Sequence, residues 1–461
     1  MSDLTLPPAQ MRQIGYQIVD LIVDHIQTLP LRPVGTKTAP AELMERIASP
    51  FPEHGENPAT VIETLMRDVL SSRLNIDHPR FFAFVPGPGN FVGAMADALA
   101  SGLNVFVGTW FSGSGPAAVE LQVIDWLCGL AGFPKGAGGL MVSGGSVASL
   151  TALAAARHRR AAAKPEAAAV YLSDQTHSSV ERALHILGFR EEQIRKLPSD
   201  PKQRLPVSAL QEAIAADRAA GLIPFCVVAN AGTTNSGAVD PLPEIADLSA
   251  SSSMWLHVDG AYGAGALLVE SGRERLAGIE RADSIALDPH KWLFQPLEAG
   301  CLLVRDPSVL RSAFRITPDY LREVHHDVEE INFCDHGIQL TRGFRALKLW
   351  LSLRIFGVAS FRDAIAHGIR LAEAAESRLR RSGAWAVVTT AQLGIVTFRH
   401  AQGSHLTRSI VDRANADGYL VLTSTVIAGQ DVLRLCTINP RTTIEDIESS
   451  VDRLEEIAAA L

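Results

Sequence analysis

Apolar side chains recur at helical spacing over residues 8–29, at Met11, Ile14, Ile18, Leu21, Ile22 and Ile26, and predict a helix that ends before Pro30. A second amphipathic helix is expected over Thr60–Ser71. Helices at the start of a chain must cover their apolar faces, either on a partner subunit or on the chain's own core.

Further along, short runs rich in Val, Ile and Leu read as buried strands: Ala168–Ser173, Phe225–Ala231, Met254–Asp259, Ser284–Asp288 and Gly300–Arg305. Helical patterns lie between several of them, at Ser179–Leu187, Val207–Ala220 and Leu242–Ser249. This alternation predicts an α/β fold with a mostly parallel sheet covered on both faces. Ligands of such sheets sit at the carboxyl ends of the strands. Beyond about residue 345 the pattern changes to a helix from Phe344 to Phe356, another from Ala364 to Arg381, two strands (Gly394–Arg399 and Val432–Thr437) and a last helix from Ile444. The chain therefore divides into an N-terminal helical arm for dimerisation (1–80), a large α/β domain (81–345) and a smaller C-terminal α+β domain (346–461). The alanine-rich stretch 161–169 reads as a surface turn.

Composition narrows the function. The 461 residues are 47% hydrophobic and 20% charged, with a net charge of −8 and no basic stripe, so nucleic acid is not an expected partner. No apolar run reaches membrane-spanning length, and residues 1–13 lack a secretory pattern, which points to the cytoplasm. Five widely spaced cysteines suggest neither a disulfide framework nor a zinc site, and no metal is expected. They read as small buried hydrophobes.

Five segments carry candidate chemistry at strand ends or helix starts. Ser143-Gly144-Gly145-Ser146 opens a helical run, and free amides at a helix start suit a phosphate; a plain N-cap by Ser146 is the simpler reading. Asp174 to Glu181 follows a strand, carries His177, and has capping-box spacing at Ser178 and Glu181. His257-Val258-Asp259-Gly260-Ala261-Tyr262 ends a buried strand on Asp259, a carboxylate that needs a cation or several donors. Asp288-Pro289-His290-Lys291-Trp292 holds a lysine off the solvated surface, where burial favours the neutral amine needed for a Schiff base. Thr317-Pro318-Asp319-Tyr320 opens a polar stretch to Asp335, with His325 and His326, that reads as a loop and a candidate lid.

Taken together, FFAFVPG (81–87), SGGS (143–146), SDQTHSSVERA (173–183), AGTTNSGAVD (231–240), WLHVDGAYG (255–263), DPHKW (288–292) and TPDYL (317–321) resemble the group II pyridoxal-phosphate-dependent amino-acid decarboxylases, in particular the aromatic L-amino-acid branch. The resemblance spans nearly the whole chain. It implies fold type I, the aspartate-aminotransferase-like fold, a homodimer, and pyridoxal 5′-phosphate as cofactor. It further implies that Lys291 forms the Schiff base, Asp259 pairs with the pyridine nitrogen, and His177 and Ala261 line the two ring faces. Gly145, Ser146 and His290 would hold the phosphate, Thr234 would lie near ring and substrate, and Tyr320 would supply a proton to Cα.

The same resemblance implies that Ile76, Phe84, Val85 and Trp110 form the substrate wall. Relatives acting on aromatic substrates carry larger aromatic side chains before and within FFAFVPG, so this wall is smaller and more aliphatic. Relatives acting on a second acidic group place polar side chains where Phe84 and Val85 stand. The implied reaction is decarboxylation of an aromatic or bulky apolar L-amino acid to its amine. An aldehyde synthase of the same fold is an alternative, as is an aminotransferase, which would need a carboxylate-binding arginine such as Arg434. Asp288 stands where some relatives have Asn near the phosphate, and sequence assigns it no role.

Overall fold

The computed structural model describes residues 4–161, 164–316 and 330–461. Seven strands form the larger sheet: β1 (Gly138–Val142), β2 (Ala168–Ser173), β3 (Ile194–Leu197), β4 (Ile223–Asn230), β5 (Trp255–Asp259), β6 (Ser284–Leu287) and β7 (Gly300–Val304). Their order is β1-β7-β6-β5-β4-β2-β3, and β7 alone runs against its neighbours. The five expected strands are all present. β1 and β3 were not expected. β1 is short, with only three apolar side chains after two glycines, and β3 is the polar edge strand Ile-Arg-Lys-Leu, so neither shows a long apolar run.

The register of the central strands aligns their carboxyl ends. Asn230 of β4 lies beside Asp259 of β5, which lies beside Ala286 of β6. The turns after these three strands therefore leave the sheet side by side, at its carboxyl end. Two long helices, Phe91–Gly102 and Trp110–Leu130, escaped the sequence reading. The second is interrupted by a non-helical Gly113 and by Pro116, which obscure its period.

The C-terminal region holds one antiparallel sheet, ordered β10-β11-β9-β8, from β8 (Trp385–Gln392), β9 (Ile395–His400), β10 (Thr423–Ile427) and β11 (Gln430–Cys436). Sequence showed only β9 and β11. β8 is only partly buried and β10 is an exposed edge, so their alternation is weak. The two helices expected there are one element, Ala346–Ser382, broken at Gly357 with φ 75°. Only glycine reaches that conformation without strain. The helix contributes Leu349 and Ile365 to the main core and Leu371 and Leu379 to a second core around Phe398 and Leu433. Phe82, from the 81–87 segment, also packs into that second core. The stretch 161–169 is not simply a surface turn, because β2 starts within it and Ala168 and Ala169 are buried.

The Pro8–Thr28 helix forms as expected, yet none of its residues is buried in the single chain. The second amphipathic segment is α-helical over Pro58–Thr64 and continues as a wider turn, Leu65–Leu70. All five cysteines are buried and free. Among the described residues, no helix is long and apolar enough to cross a membrane.

Candidate active site

The turns after β4, β5 and β6 meet the start of the Gly145–Arg160 helix around a cavity of about 290 Å³. Gly145, Ser146, His177, Thr234, Asp259, Ala261, His290 and Lys291 all line it. Sequence reasoning assigns no role to Gln175, Asn230, Thr233, Tyr262 and Asp288, which line it too. Asn230 could have been found by its place, since it ends a strand as Asp259 does. The others carry no sequence signal of their own.

The glycine turn is built for a small anion. No side chain caps the Gly145–Arg160 helix, whose first amides lack intrahelical partners. Ser146 is therefore not the N-cap; Gly144 is. A Cβ on Gly144 would stand 3.2 Å from Cε1 of His290, and one on Gly145 would stand 3.0 Å from Cβ of Ala261. Glycine at both positions keeps this space open, and the helix dipole adds positive potential to it.

His177 is itself the N-cap of the Ser178–Ile186 helix, its Nδ1 accepting from the Ser179 amide at 3.3 Å. The capping box expected from Ser178 and Glu181 does not form. Ser178 is already in the first turn, and Glu181 pairs with Lys196 at 2.8 Å. Behind His177, Asn230 donates to Ser173 and Thr176, and to Asp240 at 2.9 Å. Burial pushes the Asp240 carboxyl up to about 6.

Asp259 is only partly buried, because it faces the cavity from the end of a buried strand. One of its oxygens accepts from the Ala261 amide at 3.1 Å. Three residues on, Tyr262 stacks on Trp292 with centroids 5.0 Å apart, and its hydroxyl accepts from the Gly394 amide at 2.7 Å. This stack fixes the turns that carry Asp259 and Lys291 against the C-terminal sheet.

Lys291 is expected to be buried, but its side chain is 24% exposed. Its Nζ lies 3.1 Å from Oδ2 of Asp288, a carboxylate whose side chain is 2% exposed. Oδ1 of Asp288 has no hydrogen-bond partner among the described residues. Burial holds the neighbouring His290 imidazole below its ordinary range, with Asp288 opposing the shift.

A sequence model described as the pyridoxal-dependent decarboxylase conserved domain matches residues 40–401. The chain belongs to the pyridoxal-dependent decarboxylase family. It is 48% identical to an aromatic-L-amino-acid decarboxylase of Bacillus atrophaeus, over 99% of this chain and 97% of that one. It is 31% identical to a phenylacetaldehyde synthase of Arabidopsis thaliana, over 98% and 96%. Its fold matches the crystal structure of Oryza sativa TDC with PLP and tryptamine at a TM-score of 0.95 and 29% identity, covering 100% and 99% of the two chains. The enzyme is thus a carboxy-lyase of fold type I that decarboxylates an L-amino acid with pyridoxal 5′-phosphate. The cavity fits that cofactor, having an open glycine turn for a phosphate, a lysine within it and a carboxylate at the end of β5.

Several expected residues stand elsewhere. In the single chain none of Ile76, Phe84, Val85 and Trp110 lines the cavity. Ile76 packs on Val34, Phe81, Ala83 and Val421, and Val85 and Trp110 pack on the main core. Phe84 is 62% exposed, with φ 53°. Arg434 is buried and donates through Nη1 to the carbonyl of Phe84 at 2.5 Å, so it secures the 81–87 segment and does not line the cavity. Tyr320, His325 and His326 lie outside the described residues. The end of the expected loop is ordered, with Phe333–Asp335 forming a buried turn.

Proposed function

We propose that Lys291 is the lysine that holds pyridoxal phosphate, and that the enzyme acts on an aromatic or bulky apolar L-amino acid. The observation that carries this reading is the meeting of Lys291, Asp259, His177 and an uncapped glycine turn on one cavity at the carboxyl ends of β4, β5 and β6.

When bound, the cofactor supplies a sink for the electron pair left as CO2 departs. The chain's own groups do the rest. The Gly145 and Ser146 amides and His290 hold the phosphate. Asp259 keeps a proton on the ring nitrogen, and His177 and Ala261 hold the ring between them. Thr234 stands beside ring and substrate. Tyr320 delivers a proton to Cα and so favours the amine over other products.

The substrate class rests on two supports. The Bacillus atrophaeus relative is named for aromatic amino acids. Among the described residues lining the cavity, Lys291 is the only Lys or Arg, so a second substrate carboxylate has no dedicated cation there.

A second copy of the chain completes this reading. Met11, Tyr16 and Ile18 on the N-terminal helix are exposed, as are Phe84, Leu103 and Phe111. Apolar surface on this scale marks an association face. We assign it to a homodimer in which Ile76, Phe84, Val85 and Trp110 form a substrate wall near the interface. The same reading divides the chain into the arm 1–80, the cofactor-binding unit 81–345 and the C-terminal unit 346–461, and places the enzyme in the cytoplasm.

Borohydride reduction followed by peptide mapping should attach the cofactor at Lys291, and attachment at another lysine would overturn the assignment. A panel of aromatic, branched aliphatic and acidic L-amino acids should give the highest kcat/KM in the first two groups, with amine and CO2 formed in equal amounts. Aldehyde, peroxide and ammonia in place of the amine, with CO2 still released, would identify a synthase.

A further inference from the structure

A second cleft, of about 610 Å³, lies between the two sheets and has no part in the proposed reaction. One wall holds Lys202 and Arg204 from the turn after β3, Gly237 and Val239 from the turn after β4, and Arg275 from the end of the Glu270–Arg275 helix. The facing wall is residues 388–393, from β8 and its hairpin. A cleft of this size holds a small molecule.

Its charge is one-sided. Lys202, Arg204 and Arg275 line the cleft, and no Asp or Glu does. Arg204 pairs with Asp200 through Nε and Nη2, at 3.0 and 2.8 Å, and keeps Nη1 unused among the described residues. The side chains of Lys202 and Arg275 have no hydrogen-bond or ion-pair partner among the described residues. Glu376 of the long helix is committed elsewhere, accepting from the Ala391 amide at 2.7 Å and pairing with Arg380 at 2.7 Å. Three cations that share one carboxylate attract an anion, and guanidinium groups match the oxygens of phosphates and carboxylates.

The facing strand is irregular at this point. The pairing of β8 with β9 shifts register between Val387 and Thr389 and again between Thr389 and Gln392. Bulges of this kind re-aim side chains beside binding sites. The Thr389 amide turns to the Thr397 hydroxyl at 3.1 Å, while Thr390 and Gln392 line the cleft and add neutral donors to the cations opposite.

The cleft and the catalytic cavity share a turn. Gly232, Thr233 and Thr234 line the cavity, and Gly237 and Val239 line the cleft. The Gly237 amide donates to the Thr233 carbonyl at 2.8 Å and closes the turn. A Cβ on Gly237 would lie 2.3 Å from the Gln392 carbonyl oxygen, so the turn seats directly on β8. Another basic cleft, at Arg159, Arg160 and Arg218, serves as a comparison. It is walled by the apolar start of β4, and Arg218 is tied to the Ser252 carbonyl at 3.0 Å.

We propose that the cleft of Lys202, Arg204 and Arg275 is a second ligand site, separate from the catalytic cavity, for a small molecule bearing two or more negative charges as phosphate or carboxylate groups. Such a ligand neutralises the cations on one wall, accepts from Thr390 and Gln392 on the other, and so clamps the turn after β4 to the C-terminal sheet. The site does not depend on which lysine holds the cofactor.

The test is isothermal titration calorimetry of the borohydride-reduced holoenzyme, in which the cofactor stays in place and its phosphate site is filled. Inorganic pyrophosphate and citrate are the two probes, in phosphate-free buffer at constant ionic strength. At least one should bind saturably with a Kd at or below about 1 mM. The tighter of the two assigns the ligand to the phosphorylated or the polycarboxylate class. Lys202→Gln with Arg275→Gln should weaken binding by roughly tenfold or more, the loss expected when charged hydrogen bonds are removed. Arg159→Gln with Arg160→Gln, an equal loss of charge at the other cleft, should leave it unchanged. All four side chains are exposed, and circular dichroism checks that the variants fold; the single variants serve if a double variant does not. The bound probe should raise Tm in the wild type and not in the Lys202, Arg275 variant. Absence of saturable binding by either probe, or an equal loss in both double variants, would overturn the proposal. Attachment of the cofactor at a lysine other than Lys291 would strike the reading of the catalytic site and leave this one standing.

Discussion

Arg342 and Glu120 form an ion pair at 2.5 Å in which neither side chain is more than 1% exposed. The same Glu120 oxygen accepts from the Met141 amide on β1, and Arg342 also donates to the carbonyls of Val107 and Met141. Arg342 lies over the ring of Phe333, 4.8 Å from its centroid. The pair thus ties β1, the Trp110–Leu130 helix and the segment after residue 330 into one buried network. Removing one partner leaves a buried charge alone, at a cost of ~3–5 kcal/mol. Glu120→Gln and Arg342→Met should each lower stability by this order in urea unfolding, and a double Glu120→Leu, Arg342→Met replacement should recover much of the loss. Single variants as stable as wild type would contradict the network.

Acid should destabilise the enzyme before its surface carboxylates titrate. Burial holds His257, between Ser284 and Ser149, at about 4, and His336 is also held at about 4. Both lie below the ordinary 6.5, so the unfolded chain binds protons first as pH falls. Stability is complete above about pH 6.5 and is lost towards about pH 4, with each histidine contributing on the order of 3 kcal/mol. Asp240 opposes this: its carboxyl, raised from 3.8 to about 6, favours the folded state as pH falls between those two values. His78 and His290 are also lowered by burial, and Asp97 and Asp283 also raised, so four histidines act against three carboxyls, and the histidine loss begins at higher pH. Unfolding midpoints in urea should decline from about pH 7 to about pH 5, and His257→Gln should flatten the decline. A midpoint that rises on acidification would show the sign to be wrong.

The glycine turn depends on a glycine from another strand. A Cβ on Gly300 of β7 would lie 2.4 Å from Cα of Gly144, so one of the two backbones must move. Gly300→Ala should cost ~1–3 kcal/mol of stability by overpacking. By displacing the turn it should also weaken pyridoxal phosphate binding by roughly tenfold, about 1.4 kcal/mol. Gly129→Ala, where a Cβ meets nothing within 4 Å on a helix, is the control and should be neutral or slightly stabilising. Equal cofactor affinity in Gly300→Ala and wild type would separate β7 from the site.

Tyr320 is assigned the proton delivered to Cα. Tyr320→Phe should still bind cofactor and substrate, and should divert turnover from amine to aldehyde with ammonia and peroxide, one O2 being consumed for each aldehyde formed. Quantitative amine analysis decides it: an unchanged yield of amine per CO2 removes Tyr320 from the reaction.

Deletion of residues 1–30 should expose the surface that the N-terminal helix covers in a dimer. Light scattering after size exclusion should find the full chain as a dimer and the truncated chain as monomer or aggregate, with activity falling in step. A full-length monomer of undiminished activity would contradict the shared wall around Phe84 and Trp110.

The strands that place the site were legible because each is a run of apolar side chains buried on both faces, as in Phe225 to Ala229 or Ile285 to Leu287. The motif segments at their ends stood out by position, and the roles of their residues came from the family resemblance. What stayed hidden had physical causes. β3 and β10 are edges, where polar residues are admitted, and Gly357 joins two helical patterns that read as separate. The partnership of Asp288 with Lys291 could not be read either, although the two are three residues apart. Spacing along a turn does not say which way a carboxylate faces. The wall residues Ile76, Phe84, Val85 and Trp110 carry a motif signal but no geometric one within a single chain.

The five buried thiols give the protein a built-in clock. Alkylating reagents act on the thiolate, and burial pushes Cys128 up to about 12 and Cys436 up to about 11, with Cys226 and Cys301 raised further. The native enzyme should therefore be inert to such reagents at neutral pH, and each label incorporated records an opening event. Cys128 and Cys301 report on the sheet that holds the cofactor, Cys436 on the C-terminal sheet. Mass spectrometry of labelled peptides can then time the opening of the two regions independently, in the untouched wild-type sequence.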